Sequence, residues 1–255
     1  MATCWHNSPP RPDQNMASPA EPTVREIFTA FLEGWLVRQE AFLEKLQILS
    51  SVPLDVTEEK DEERRHFVER ILAHYQQYYE EKIKAAKEDV FLMFSPPWLS
   101  SFERALLWIS GFKPSMLFPL LNGLVGDFKL SAEQFQRIEM VKAETRREER
   151  KIADEMARIQ ESVAAPPIFN FMRKMGRLVD GEVSELNTAV EGLKAAMVVV
   201  MGDADNLRDS TVRKIVEILN PLQTVKILAG AAEFQLQARR WGMQRDSERR
   251  NTEFE

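Results

Sequence analysis

The sequence predicts an all-α protein: a multi-helix bundle of long antiparallel helices behind a short disordered N-terminal tail. Three observations predict it. Apolar residues recur at steps of three, four and seven through most of the chain, and no period-two alternation is long enough for a strand. Capping-box signals stand where these stripes begin, and prolines stand where they end. At 44% hydrophobic and 29% charged with 10 glycines in 255 residues, the chain is apolar enough to fold around one core. The expected organisation is a tail over 1–21, a helical domain over 22–250 and a closing tail over 251–255.

Residues 1–21 carry Pro9, Pro10, Pro12 and Pro19 with neither a cationic start nor an apolar run, so they read as a flexible tail and not a signal peptide. Thr23 and Glu26 have capping-box spacing, and Phe28, Phe31, Trp35, Phe42, Leu46 and Leu49 then lay an aromatic stripe along one helix that Pro53 closes. Val68, Leu72, Tyr75, Tyr79, Ile83, Ala86, Val90 and Met93 trace a second, long helix ended by Pro96-Pro97. Ser100 and Glu103 start a third, with Phe102, Leu106 and Ile109 leading to Gly111 as a C-terminal cap and Lys113-Pro114 opening a further short helix. Ser131 and Gln134 open a stripe running from Phe135 through Ile138, Val141, Thr145, Ile152, Met156 and Ile159 to Val163. The charges between them, Glu144 to Lys151, alternate in sign and read as a solvated face. Val183 to Leu219 reads as helix, with a bend expected near Gly202, and Asn220-Pro221 caps and starts the last one.

The charge balance and cysteine count exclude several function classes. A net charge of -6 argues against a body that binds polyanions, because phosphate recognition rests on Lys and Arg displacing counterions. The single cysteine, Cys4, allows no internal disulfide and points to a reducing compartment. The longest aliphatic run, Met197 to Met201, is far below the roughly 20 apolar residues of a membrane span.

No catalytic constellation stands out, and the chain reads as no enzyme with no cofactor. His66 and His74 lie eight residues apart, roughly 12 Å along a helix, too far to share a metal. They read as surface or half-buried residues. Asp203, Asp205 and Asp209 match early positions of a calcium loop, but its required Gly and Glu positions hold Arg208 and Lys214. These aspartates read as a charged helix surface or a bend. Two surfaces stay open. The Phe28-Phe31-Trp35 stripe is either core or a partner groove. The basic last helix around Trp241 is either a solvated helix end or a target for an acidic partner.

The run Trp98-Leu99-Ser100-Ser101-Phe102-Glu103-Arg104-Ala105-Leu106-Leu107-Trp108-Ile109-Ser110-Gly111-Phe112-Lys113-Pro114-Ser115 resembles the signature of the plant delay-of-germination domain, also found in the C-terminal half of TGA-type bZIP factors. Its family residues are Trp98, Glu103, Arg104, Trp108, Gly111 and Pro114. The resemblance continues at Leu130–Gln134, at Ala204–Arg208 and at Trp241-Gly242 with Arg245-Asp246, covering roughly 22 to 250.

The resemblance implies a stand-alone regulator without a bZIP region, acting in seed dormancy, abscisic-acid or stress signalling in the nucleus and cytoplasm. It implies self-association and binding to clade A protein phosphatases of the 2C type through the N-terminal helix, here Phe28, Phe31, Leu32, Trp35, Leu36 and Gln39. It also implies a haem role through two histidines of the last helix, but the matching positions are Gln235 and Arg239, neither an ordinary axial ligand. Competing readings are a transcription regulator with sequence-specific DNA binding, alone or through TGA-type partners, and a pollen-aperture factor of the inaperturate-pollen type. Direct base reading is not expected: the residues before the domain carry Arg11 as the sole basic residue ahead of Arg25, with no basic helix to enter the major groove.

Overall fold

A computed structural model describes residues 21–51, 57–124, 130–174 and 180–252 of the protein. The expected N-terminal tail lies outside these residues, apart from Glu21. So do 253–255 of the closing tail, whereas Asn251 and Thr252 belong to the last helix. The chain forms α1 (Val24–Ser51), α2 (Glu58–Glu88), α3 (Val90–Phe94), α4 (Ser101–Ala105), a 3-10 turn (Pro114–Met116) and α5 (Leu117–Leu124). The second half forms α6 (Ala132–Ser162), α7 (Ile168–Lys174), α8 (Asp180–Ile218) and α9 (Pro221–Thr252). Among the described residues there is no strand.

The starts follow the local signals. At Thr23 the backbone N–H donates to Glu26 Oε2 at 2.8 Å while the Thr23 hydroxyl accepts from Glu26 N at 3.3 Å. Ser100 with Glu103 and Ser131 with Gln134 close the same reciprocal pair, and Asn220 with Gln223 closes a fourth. Each satisfies backbone donors that a helix start leaves open, worth about 1 kcal/mol.

Three features differ from the sequence expectation. The long second helix breaks at Asp89, whose extended backbone lets its carboxylate accept from Leu92 N at 3.1 Å and start α3. The stripe hides this break, because Ala86, Val90 and Met93 stay buried across it. The 100–111 stretch is helical only to Ala105. α8, in turn, passes Gly202 as uninterrupted helix with the glycine against Ile83.

α1 and α2 run antiparallel, as Phe28 meets Tyr78, Trp35 meets His74, Phe42 meets Phe67 and Lys45 meets Glu63. α6 and α8 also run antiparallel, joined by Gln134 to Ile218, Glu144 to Lys214 and Thr145 to Thr211. α9 packs on α1 and α2 and carries α4 and α5. Among the described residues the core has three clusters. One joins Leu46, Ile71, Val225 and Leu236, a second joins Trp35, Val90, Met93 and Met201, and a third joins Phe118, Leu121, Ile138 and Ile215. Leu36 and Tyr75 bridge the first two, and Val212 bridges the first and third. Burying one such Leu, Ile or Phe contributes roughly 1.5–3 kcal/mol.

Candidate functional site

The residues expected to meet a partner lie on α1, and their burial divides them. Phe28, Leu32, Trp35 and Gln39 are buried, while Phe31 and Leu36 are half-buried. Trp35 is 1% exposed. Its indole N–H donates to the His74 carbonyl at 3.1 Å, and its ring stacks on the His74 imidazole at 4.4 Å and 6°. Within the aromatic stripe Phe28 and Trp35 are packed as core residues, whereas Phe31 keeps part of its ring exposed. The solvent side of α1 instead presents Ile27, Val37 and Ile48.

His74 also corrects the reading of it as a surface or half-buried residue. It is 6% exposed, its Nε2 has no partner among the described residues, and burial, with Arg38 nearby, pushes its pKa down to about 4. His66 is exposed.

Gln39 and Gln235 meet in a small polar knot. Gln39 Nε2 donates to the Tyr75 hydroxyl at 2.6 Å and to Gln235 Oε1 at 3.2 Å, and the Tyr75 hydroxyl donates to Gln235 Oε1 at 3.2 Å. Arg239 Nη1 donates to the Trp98 carbonyl at 3.1 Å and reaches Glu103 Oε1 at 3.4 Å. The two positions that the family resemblance sets against haem-bearing histidines are therefore committed to internal bonds, and neither offers an imidazole. The residues present do not fit a haem. Among the described residues no group of three or more His, Cys, Asp or Glu side chains is placed to hold a metal.

The signature residues have structural partners. Trp98 lies 4.9 Å from Phe28 by ring centroids, Glu103 closes the Ser100 capping box, Arg104 donates to the Leu99 carbonyl at 2.7 Å, and buried Pro114 begins the 3-10 turn. Between them the backbone makes a tight turn, with Trp108 N donating to Gly111 O at 2.7 Å. Ile109 and Ser110 take positive φ, 45° and 59°, a conformation that costs L-residues roughly 1–2 kcal/mol each. Gly111 is thus not the left-handed cap expected of it. It is a close-approach glycine, since a Cβ there would lie 2.8 Å from Arg208 Cζ.

Arg208 holds this turn. Its guanidinium donates to the carbonyls of Trp108, Ile109 and Phe112 and to Asp205 Oδ1, and lies 5.4 Å over the Trp108 ring. Lys82 of α2 donates to the same Asp205 oxygen at 2.9 Å. All three charges are buried, which overturns the reading of Asp205 as helix surface. Burial lowers the Lys82 pKa to about 8 against the opposing pull of Asp205. Glu149, expected on a solvated face, is also buried, accepting from Ser115 N at 2.7 Å and facing Lys113 at 3.6 Å. The available signal was phase: Asp205 and Arg208 continue the stripe of Met197, Met201 and Ala204, so a charged pair at that spacing sits on the buried side. Near the end of α9, Asp246 accepts from Ser101 N at 2.7 Å, and a Cβ at Gly242 would overlap Ser100, so α4 is pinned on α9. Trp241 is half exposed, edge-on to Phe102 and covered by Arg245.

The family model described as "DOG1: Seed dormancy control" matches residues 46–122, which include the whole signature turn. The Arabidopsis thaliana protein RESPONSE TO ABA AND SALT 1 is 42% identical over 230 residues, 88% of this chain and 96% of that protein. The chain belongs to the DOG1 family. A second DOG1-family relative, the Arabidopsis thaliana protein DOG1-like 4, is 35% identical over 224 residues, 87% of this chain and 94% of that protein. The Arabidopsis thaliana transcription factor TGA1 is 31% identical over 176 residues, 68% of this chain and 45% of that factor, so the chain spans less than half of it. No helix among the described residues is long and apolar enough to cross a membrane.

Proposed function

We propose that this DOG1-family chain is a non-enzymatic regulatory module of plant abscisic-acid and salt signalling that binds 2C-type phosphatases and self-associates, working in the nucleus and cytoplasm. One observation carries the reading: 42% identity along 96% of a protein named for its response to abscisic acid and salt. The sequence-based expectation that α1 makes the phosphatase contact moves to the other side of that helix. Phe28, Leu32, Trp35 and Gln39 form its packed side, and Ile27, Val37 and Ile48 are its exposed apolar residues, spaced over roughly 30 Å at 1.5 Å per residue with charged residues such as Arg38 and Lys45 between them. The test is pull-down of recombinant 2C-type phosphatases by the full chain and by Val37→Asp. Capture by the wild type, weakened at least tenfold by Val37→Asp with unchanged melting temperature, supports the reading. Equal capture by both sinks the assignment of the face, and no capture by either sinks the partner.

A second reading has its own support in the TGA1 match. In it the chain modulates transcription through a bZIP partner and does not read bases itself. Gel shift of a TGACG duplex by a TGA-type factor, altered by adding the chain, with no shift by the chain alone, is its expected result.

A further inference from the structure

A cavity of about 250 Å³ lies between α1, α2, α8, α9 and the signature turn. Most of its wall is apolar, from residues such as Leu120, Ile215, Leu228 and Phe234, whereas one part carries the buried Lys82–Asp205–Arg208 triad. Arg208 spends four of its five donors, on Asp205 and three carbonyls. Lys82 spends fewer. An ammonium has three donors, and among the described residues its one acceptor is Asp205 Oδ1. Asp205 Oδ2 is likewise buried without a donor.

The charges are unbalanced. Two cations, Lys82 and Arg208, face one carboxylate, Asp205, in the cavity wall, because the other lining charges pair elsewhere: Glu103 with Arg239, Asp209 with Arg213 and Lys113 with Glu149. The Tyr78 and Tyr79 hydroxyls on the same wall are kept neutral by burial, which raises their pKa. An uncompensated buried charge is costly, so an anion entering here is favoured over water or a neutral molecule. Size narrows the choice. An apolar cavity of about 150 Å³ accepts benzene, so this one admits roughly ten to twelve non-hydrogen atoms.

We propose that the cavity binds a small apolar carboxylic acid of single-ring size, with its carboxylate on Lys82 Nζ and its ring among the apolar walls. The site is separate from the α1 face assigned to protein partners. The ligand's ring replaces missing wall contacts, and its charge completes the triad.

The test titrates the full chain with 3-phenylpropanoic acid and with its amide by calorimetry and ligand-observed NMR. The acid is expected to bind at one site with a Kd on the order of 0.1 mM, at least tenfold tighter than the amide. Ala231→Phe, which fills the cavity from α9, abolishes binding of both. Lys82→Met keeps weak binding and removes the preference for the acid. Equal affinity of acid and amide for the wild type, acid binding undiminished in folded Ala231→Phe, or no binding at millimolar acid each overturns the proposal. The acid-to-amide ratio is read on the wild type, so a misfolded Lys82→Met leaves the test intact. Stoichiometric uptake of hemin or of a long-chain acid in place of the small acid also counts against it, because neither fits the volume.

Discussion

The α1–α2 seam and the segment from Trp98 to Pro114 are both rich in aromatic rings, yet different physics holds them. Along the seam, rings pack on rings: Trp35 on His74, Tyr75 and Tyr78, and Phe42 on Phe67. Regular helix there satisfies the backbone, and side chains supply the attraction between elements. In the signature segment the backbone leaves the helix after Ala105, and its carbonyls need partners from elsewhere. Arg208 serves three of them, Arg239 serves Trp98, and the Ser110 hydroxyl reaches back to Met93. A seam of packed rings tolerates imperfect fit at graded cost, whereas a turn hung mainly on the Arg208 guanidinium is expected to fail when that group is lost.

The largest expected effect tests that dependence. Arg208→Met strips partners from three carbonyls and leaves Asp205 and Lys82 to pair alone, so unfolding free energy by urea denaturation should fall by about 5 kcal/mol. A loss below about 1 kcal/mol would show that the turn holds itself. Trp35→Ala should follow at about 4 kcal/mol, the cost of a large core cavity plus a lost hydrogen bond. Phosphatase capture by this variant should decline only in step with folding. If capture vanishes while the melting temperature holds, α1 contributes its buried side to a partner after all, and the contrast between core and surface on that helix breaks.

Gly111→Ala should have a smaller effect on the same turn. The added methyl meets an Arg208 that four bonds hold in place, and overpacking of this kind should cost about 2 kcal/mol. The same change at Gly192, which meets nothing within 4 Å, should be neutral or slightly stabilising in thermal melts.

The seam should carry a pH signature of its own in the acid range. His74 has a folded pKa of about 4 against an ordinary 6.5, so the folded state binds fewer protons than the unfolded one between those values. Its contribution is complete above pH 6.5 and is lost as pH falls toward 4, at about 1.4 kcal/mol per pH unit. His74→Phe, which keeps a ring beneath Trp35, should flatten that part of the stability profile, and an unchanged slope would assign it to other groups.

Much of the helical framework was legible before any coordinates. Thr23 with Glu26, Ser100 with Glu103, Ser131 with Gln134 and Asn220 with its following proline all mark real helix starts, because a cap is decided by residues within one turn of each other. The stripes were legible for the same reason. They give the apolar side of each helix, and on that basis alone an all-α bundle follows.

What lay beyond that reach was any question whose answer sits far along the chain. Trp35 faced either a partner or a core until His74, 39 residues away, was found stacked on it. Asp205 read as a charged helix surface until Lys82, 123 residues distant, proved to bind it in the interior. Gly111 read as a cap until Arg208 filled the space its side chain would take. Helix starts, apolar faces and the family signature of the turn are all readable along the chain, since they depend on neighbours one or two turns away. Which apolar face is packed, which charges are buried and where a cavity is left come from the folded chain, because burial belongs to pairs of distant segments and no local pattern encodes its own partner.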